Sequence, residues 1–364
     1  MATGPHSAGA LRLWGLLLAG ALPGAAGEGA LGRWRGTLQK ELSELPNKKN
    51  RHAEQWAAIA QHVAAASVRR GLREQPADVP WPTLQCPPEG AGVGASVEDW
   101  ETLIEWHHWS RHGYWASADY CNDMGLWTIS TGPMCPLRAA SIGNFVGLEP
   151  GQLVLDVGSA CGHFAYWLHE WFGARTVGVD FVQGAVDFAK REVTPTVPSQ
   201  FCWFNVATEG LGFVPSGSVD LALAVSVLHY LRTDSNRFER EDRRDAEVQR
   251  PDGSPPANRT QQRTPCSGLP LTRRTQCFAA REMFRTLRVG GHVWIYHNGS
   301  YKGKWDPKRV WGARYWQCCF GPELRDGSAR LLEVPELELF LHSAVWDRTY
   351  SVVLRRLRPM AVTA

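Results

Sequence analysis

Long apolar runs are missing from this 364-residue chain. The longest, Leu13 to Leu22, is about half of the roughly 20 helical residues that a bilayer requires, and no other segment comes closer, which excludes a membrane-spanning bundle. Charge of one sign is also lacking. Lys and Arg number 39 against 36 Asp and Glu, giving +3. Arg232 to Cys277 alone holds ten Arg and seven acids, so the rest of the chain is neutral and no basic stripe exists to hold a nucleic acid. Metal-site patterns are absent too. His108 and His112 stand four apart, yet no Glu completes an HExxH pattern, and the cysteines lack the paired spacing of a zinc site. With 44% hydrophobic and 21% charged residues, a disordered or fibrous chain is excluded as well.

What is present starts with a leader. Arg12, the apolar run and Ala25-Ala26-Gly27 have the order of a secretory signal peptide with a small-residue cleavage site over residues 1–27, which leaves no stable membrane span after cleavage and places the mature chain in the secretory lumen or outside the cell. A signal anchor, an organellar transit peptide and an unstructured leader are the competing readings. Asn258-Arg-Thr and Asn298-Gly-Ser are glycosylation sequons that agree with export. Nine cysteines follow the leader, an odd number that leaves at least one thiol free or paired between chains. Cys161 and Cys202 fall in apolar core segments and read as small buried residues rather than disulfide partners. Cys121 with Cys135, and Cys266 with Cys277, read as loop bridges in an oxidising lumen.

Residues 28–135 read as an extension. Trp56, Ile59, Ala60 and Val63 mark an amphipathic helix within Arg51 to Leu72, Gln75 to Gly94 reads as a surface linker, and Ser96 starts a second helix. Trp100 to Tyr120 then packs four Trp, three His and two Tyr into one stretch. Residues 136–364 read as an α/β domain interrupted at 232–277, where a polar insertion cannot repay its ordering entropy. A helix near Pro335 and a last strand, Thr349 to Leu357, close the chain.

The densest signal is Val154 to Phe181. Val154, Leu155 and Val157 form a strand, Gly158 and Gly162 bracket a turn, and Ala165, Leu168 and Trp171 lie on one helical face. Thr176 to Val179 form a second strand that ends in Asp180, 24 residues after Asp156, where such folds place a carboxylate on ribose hydroxyls. The turn reads Gly158-Ser159-Ala160-Cys161-Gly162 with His163 next, so the third glycine of a dinucleotide fingerprint is missing. That pattern suits a nucleoside without a pyrophosphate.

These residues resemble the class I S-adenosylmethionine-dependent methyltransferases, whose first motif is an acid followed by GxGxG. Ser218 to Leu231 is similar to the family's fourth strand and following turn, and Glu282 to His297 to its helix, LKPGG turn and fifth strand. The resemblance implies a Rossmann-like sheet with helices on both faces, S-adenosyl-L-methionine as cofactor, Asp180 on its ribose and Phe181 against its adenine. Asp156, Gly158, Ser159, Ala160 and Gly162 would form the turn, with Asp156 facing the methionine end, while Asn205 stands where the family usually has an Asp near the adenine amino group. His229, after the fourth strand, is the candidate general base. The aromatic stretch precedes the core where the family often covers its acceptor, so a small-molecule acceptor is expected. A catalytically inactive lumenal binding module and a nicotinamide-dependent oxidoreductase are the rival readings.

Overall fold

The computed structural model describes residues 84–92, 121, 134–225, 227–228, 275–298, 316–317, 319–333 and 349–359. The leader, the two helices expected in the extension, the aromatic stretch, His229, residues 232–274 and the helix expected near Pro335 lie outside the described residues.

Seven strands form one mixed sheet. The elements in chain order are α1 (Met134–Val146), β1 (Leu153–Val157), α2 (His163–Phe172), β2 (Arg175–Asp180), α3 (Gln183–Phe188), which continues as a π-helical turn (Ala189–Val193), and β3 (Ser199–Trp203). Then come α4 (Val206–Glu209), β4 (Val219–Val225), α5 (Thr275–Thr286), β5 (Leu287–Asn298), α6 (Gly321–Arg325), β6 (Ala329–Glu333) and β7 (Thr349–Arg356). The sheet order is β3-β2-β1-β4-β5-β7-β6. Strands β1 to β5 are parallel, and β7 runs antiparallel between β5 and β6. The order reverses beside β1, so the crevice at the carboxyl ends of β1 and β4 is the switch point where open α/β sheets bind ligands.

Alternation along each strand divides the core in two. Val154, Leu221, Leu223, Trp294 and Tyr296 face α1, α2 and α3, while Leu155, Val157, Ala222, Val293 and Ile295 face α5 and the Trp316–Phe320 region. Helix α2 is bounded by Gly162 and Gly173, both in the left-handed region, and nine of its ten residues are buried. Such all-round burial suits a helix pressed between the sheet and α1.

Four expectations need correction. Cys161 and Cys202 are disulfide partners after all: the bridges are Cys86–Cys202, Cys121–Cys161 and Cys277–Cys319. Cys135 is a buried free thiol, so it does not pair with Cys121, and Cys277 does not pair with Cys266. Chain proximity suggested the wrong partners because the fold joins cysteines that are 40 to 116 positions apart. The polar insertion also stops short of Cys277, which is fully buried in α5. Finally, Leu84–Gly92 is not a plain surface linker. Gly90 N–H donates to Trp203, Asn205 N–H donates to Ala91, and Gln200 Nε2 donates to Leu84 O, which lays this strip along the otherwise open edge of β3. Strand β6 carried no reading in advance.

Gly178 sits where β2 passes under the turn that follows β1. A Cβ there would stand 2.5 Å from Phe201 Cδ1 and 2.8 Å from Ser159 Cβ. Gly178→Ala should therefore destabilise the protein by about 1 to 3 kcal/mol through overpacking, read as a lower urea midpoint. An unchanged midpoint would mean that β3 and the turn can separate at no cost.

Candidate functional site

The turn from β1 to α2 is held by its own backbone. Gly158 and Ser159 N–H both donate to Val179 O at 2.8 and 3.0 Å, and Gly162 N–H donates to Ser159 O at 2.9 Å. Ala160 N–H donates to Asp180 Oδ2 at 2.8 Å. Four amides of the glycine turn are thus spent inside the protein, which removes them as donors to a pyrophosphate. Ala160 is the one non-glycine residue with positive φ among the described residues, at 46°. The Asp180 bond and the adjacent Cys121–Cys161 bridge flank this residue and fix its backbone.

Gly158 is needed for packing as well as for its turn conformation. A Cβ on it would stand 2.4 Å from Val227 Cγ2, so the turn seats directly on the residues that follow β4.

Asp180 is buried, and its carboxylate is shared between two turns: Oδ2 takes Ala160 N–H, and Oδ1 takes Val182 N–H at 2.8 Å. A carboxylate has about four lone-pair positions, so capacity for hydroxyl donors remains. Burial raises its pKa, against the lowering by the Val182, Ala160 and Phe181 amides. Asp156, at the end of β1, is 1% exposed, and its Oδ2 has no hydrogen-bond partner. Burial and the like charge of Asp180 push its pKa up to about 8. Ser159 Oγ is likewise buried without a partner. Two polar atoms beside one turn therefore lack the bonds that buried groups normally have.

Around this centre, Phe181 is half-buried, and its carbonyl accepts from Trp203 Nε1 at 3.0 Å. Asn205 is buried, with Nδ2 donating to Gly92 O at 3.4 Å, so its amide nitrogen faces the edge strip. His163, fully buried, accompanies the Cys121 carbonyl at 3.4 Å, and burial lowers its pKa to about 4, which keeps the ring neutral. Asp156, Gly158, Ser159, Ala160, Gly162 and Asp180 thus meet at the carboxyl ends of β1 and β2. His229 follows Leu228 just outside the described residues. No group of three His, Cys, Asp or Glu able to hold a metal occurs among the described residues, and none of their helices is long and apolar enough to cross a membrane.

One residue at this rim was missed. Arg138 in α1 is 2% exposed, and Nη2 donates to Tyr296 Oη at 2.8 Å with its guanidinium carbon 4.2 Å from that ring's centroid. In Met-Cys-Pro-Leu-Arg nothing distinguishes it from a surface arginine.

A methyltransferase-domain family profile matches residues 154–249, from β1 past β4. No curated protein matches the chain. Among solved structures, a Methanococcus maripaludis protein provisionally described as an S-adenosyl-L-methionine-dependent methyltransferase is 14% identical. It covers 68% of this chain and 96% of its own, with a TM-score of 0.40. A TehB-like methyltransferase of Corynebacterium glutamicum is 14% identical over 60% of this chain and 86% of its own, TM-score 0.38. Phosphoethanolamine N-methyltransferase 2 of Haemonchus contortus is 12% identical over 69% and 60%, TM-score 0.40.

The raised pKa of Asp156 has a sign that can be measured. Below about 8 the folded protein keeps this proton, whereas the unfolded chain releases it from about 3.8 upward, so folding loses stability as pH rises through that window. Urea unfolding of the wild type and Asp156→Asn between pH 4.5 and 8.5 should show wild-type stability falling relative to the variant. Parallel curves would mean that Asp156 is ionised in the fold.

The profile matched over residues 154–249 is that of a methyltransferase domain, and the reversal of strand order beside a glycine turn on β1 agrees with it.

Proposed function

We propose that this protein transfers a methyl group from S-adenosyl-L-methionine to a small-molecule acceptor in the lumen of the secretory pathway. The observation that carries the reading is the turn between β1 and α2, with its amides engaged internally and Asp156 Oδ2 and Ser159 Oγ left without partners. These groups fit a cofactor that brings hydroxyl and ammonium donors rather than phosphates. The remaining lone pairs of Asp180 would accept ribose hydroxyls, Phe181 would lie against the adenine, and Asn205 would border it. Asp156 would face the methionine end.

Bound S-adenosyl-L-methionine supplies a methyl already activated on a sulfonium. The chain's task is then to orient two reactants and exclude water, which can contribute about 7 to 11 kcal/mol. The Cys121–Cys161 bridge supports a lid role for Trp100 to Tyr120, because it fastens the residue after that stretch to the turn itself. A net charge of only +3 without a basic stripe supports a small acceptor over a polyanion. His229 is retained as the candidate base, since it follows the carboxyl end of β4.

Calorimetry of the full chain tests the cofactor. S-adenosylmethionine and S-adenosylhomocysteine should bind while NAD should not, and Asp180→Ala should weaken binding about tenfold or more. Binding of NAD alone would favour the oxidoreductase reading, and binding without turnover in an acceptor screen would favour the inactive module. Unchanged affinity in a folded Asp180→Ala protein would remove that carboxylate from the site.

Three disulfides support the lumenal reading, since such bridges persist in oxidising compartments and are rare in the cytosol. Peptide mapping of the protein purified from cells under thiol-trapping conditions should recover Cys86–Cys202, Cys121–Cys161 and Cys277–Cys319. Recovery of these cysteines as free thiols would oppose it.

A further inference from the structure

Arg138 occupies a place where an arginine has no ordinary reason to be. It is 2% exposed on the α1 face of the sheet, and among the described residues no carboxylate pairs with it. A guanidinium carries five N–H donors. One is used on Tyr296 Oη, and Nε is buried with no hydrogen-bond partner. Its neighbours supply no counter-charge. Burial pushes the Cys135 thiol up to about 11, and it raises the Tyr296 phenol as well, so both stay neutral. A buried charge without a partner costs several kcal/mol, and a fold keeps one only when something else repays it.

The position suggests what that is. Tyr296 pairs with Val225, two residues beyond the row in which Asp156, Leu223 and Trp294 lie side by side. Asp156, Tyr296 and Arg138 share the sheet face covered by α1 and α2. A carboxyl oxygen without a hydrogen-bond partner and a guanidinium hydrogen-bonded only to a neutral phenol therefore lie on one face of the sheet.

We propose that Arg138 is a binding residue that receives a carboxylate of the bound ligand through its free N–H groups, with Tyr296 holding the guanidinium in place. A planar carboxylate matches the guanidinium fork in two parallel bonds, which a phosphate-free, neutral site otherwise has no use for. The carboxylate comes either from the amino-acid end of the cofactor or from the acceptor. This assignment deepens the methyltransferase reading above and rests on it for the identity of the cofactor.

The test compares S-adenosylhomocysteine with 5′-methylthioadenosine, which shares the nucleoside and thioether but lacks the amino acid, on the wild type, Arg138→Met and Arg138→Lys. If the cofactor supplies the carboxylate, Arg138→Met should lose about 10- to 150-fold in affinity for the former and nothing for the latter. Arg138→Lys should fall between. If the acceptor supplies it, both affinities stay unchanged, and sodium acetate should raise the Tm of the wild type but not of Arg138→Met. Ligand-free Arg138→Met should melt no lower than the wild type, because methionine replaces an unpaired buried charge.

The proposal is overturned if Arg138→Met lowers the ligand-free Tm and weakens both nucleosides equally, which would make Arg138 a structural partner of Tyr296. It is overturned also if neither affinity nor the acetate shift responds. Should Arg138→Met fail to fold, the ratio of the two affinities in Arg138→Lys decides: it falls toward one for a cofactor contact, while an acetate shift smaller than in the wild type marks an acceptor contact. If Arg138→Lys shows neither change, the proposal is overturned. A wild type that binds neither nucleoside sinks the methyltransferase reading instead, and the acetate comparison on the ligand-free chain still tests Arg138.

Discussion

The carboxylate of Asp180 joins the ends of two turns that have no other reason to meet. Through Oδ2 it holds Ala160 in the turn after β1, and through Oδ1 it holds Val182 at the entry to α3. Both amides are part-buried donors that would otherwise lack this acceptor. Ala160 shows why the constraint matters. Its left-handed backbone is disfavoured for a residue with a Cβ, and it persists because the surroundings fix it from both sides. The same residue that serves the cofactor in the proposed reading is therefore the one that shapes the turn, so binding and local structure cannot be separated by one substitution at Asp180.

The disulfides extend this logic to the periphery. Each joins a segment outside the parallel sheet's own hydrogen bonds to an element within it: the edge strip to β3, the end of the extension to the glycine turn, and the Trp316–Phe320 region to α5. Beside the last of these, Arg281 donates to Glu323 and to Cys319 O, so a buried acid is matched where the bridge closes. A bridge that closes a long loop stabilises by roughly 2 to 4 kcal/mol, chiefly by restricting the unfolded chain. Such staples suit segments with little apolar surface of their own.

Much of the parallel sheet was legible in the sequence because buried parallel strands leave dense apolar runs, and Leu153–Val157 and Arg175–Asp180 lie within a residue of expectation, while Val219–Val225 falls inside the expected Ser218 to Leu231. The site was legible through its turn residues, whose spacing reports backbone geometry directly. What was not legible depends on contacts distant in sequence. Cys161 looked apolar because it stands among apolar residues, yet its partner lies 40 residues away. The strip at Leu84–Gly92 is rich in Pro and Gly, and such composition cannot show that its carbonyls meet Gln200 and Asn205. Arg138 is the extreme case, since nothing beside it in the chain reports its burial.

The buried polar groups at the rim of the sheet set stability against binding. Asp156, Ser159 and Arg138 each leave an atom without a partner in a region where apolar residues of similar volume would pack at no such cost. Helix α2 and strands β1, β4 and β5 surround them with some of the most completely buried side chains in the protein, Trp167, Trp294 and Leu155 among them. In the proposed reading those unpartnered atoms are the ones that meet a molecule entering the crevice, which is what would offset their cost.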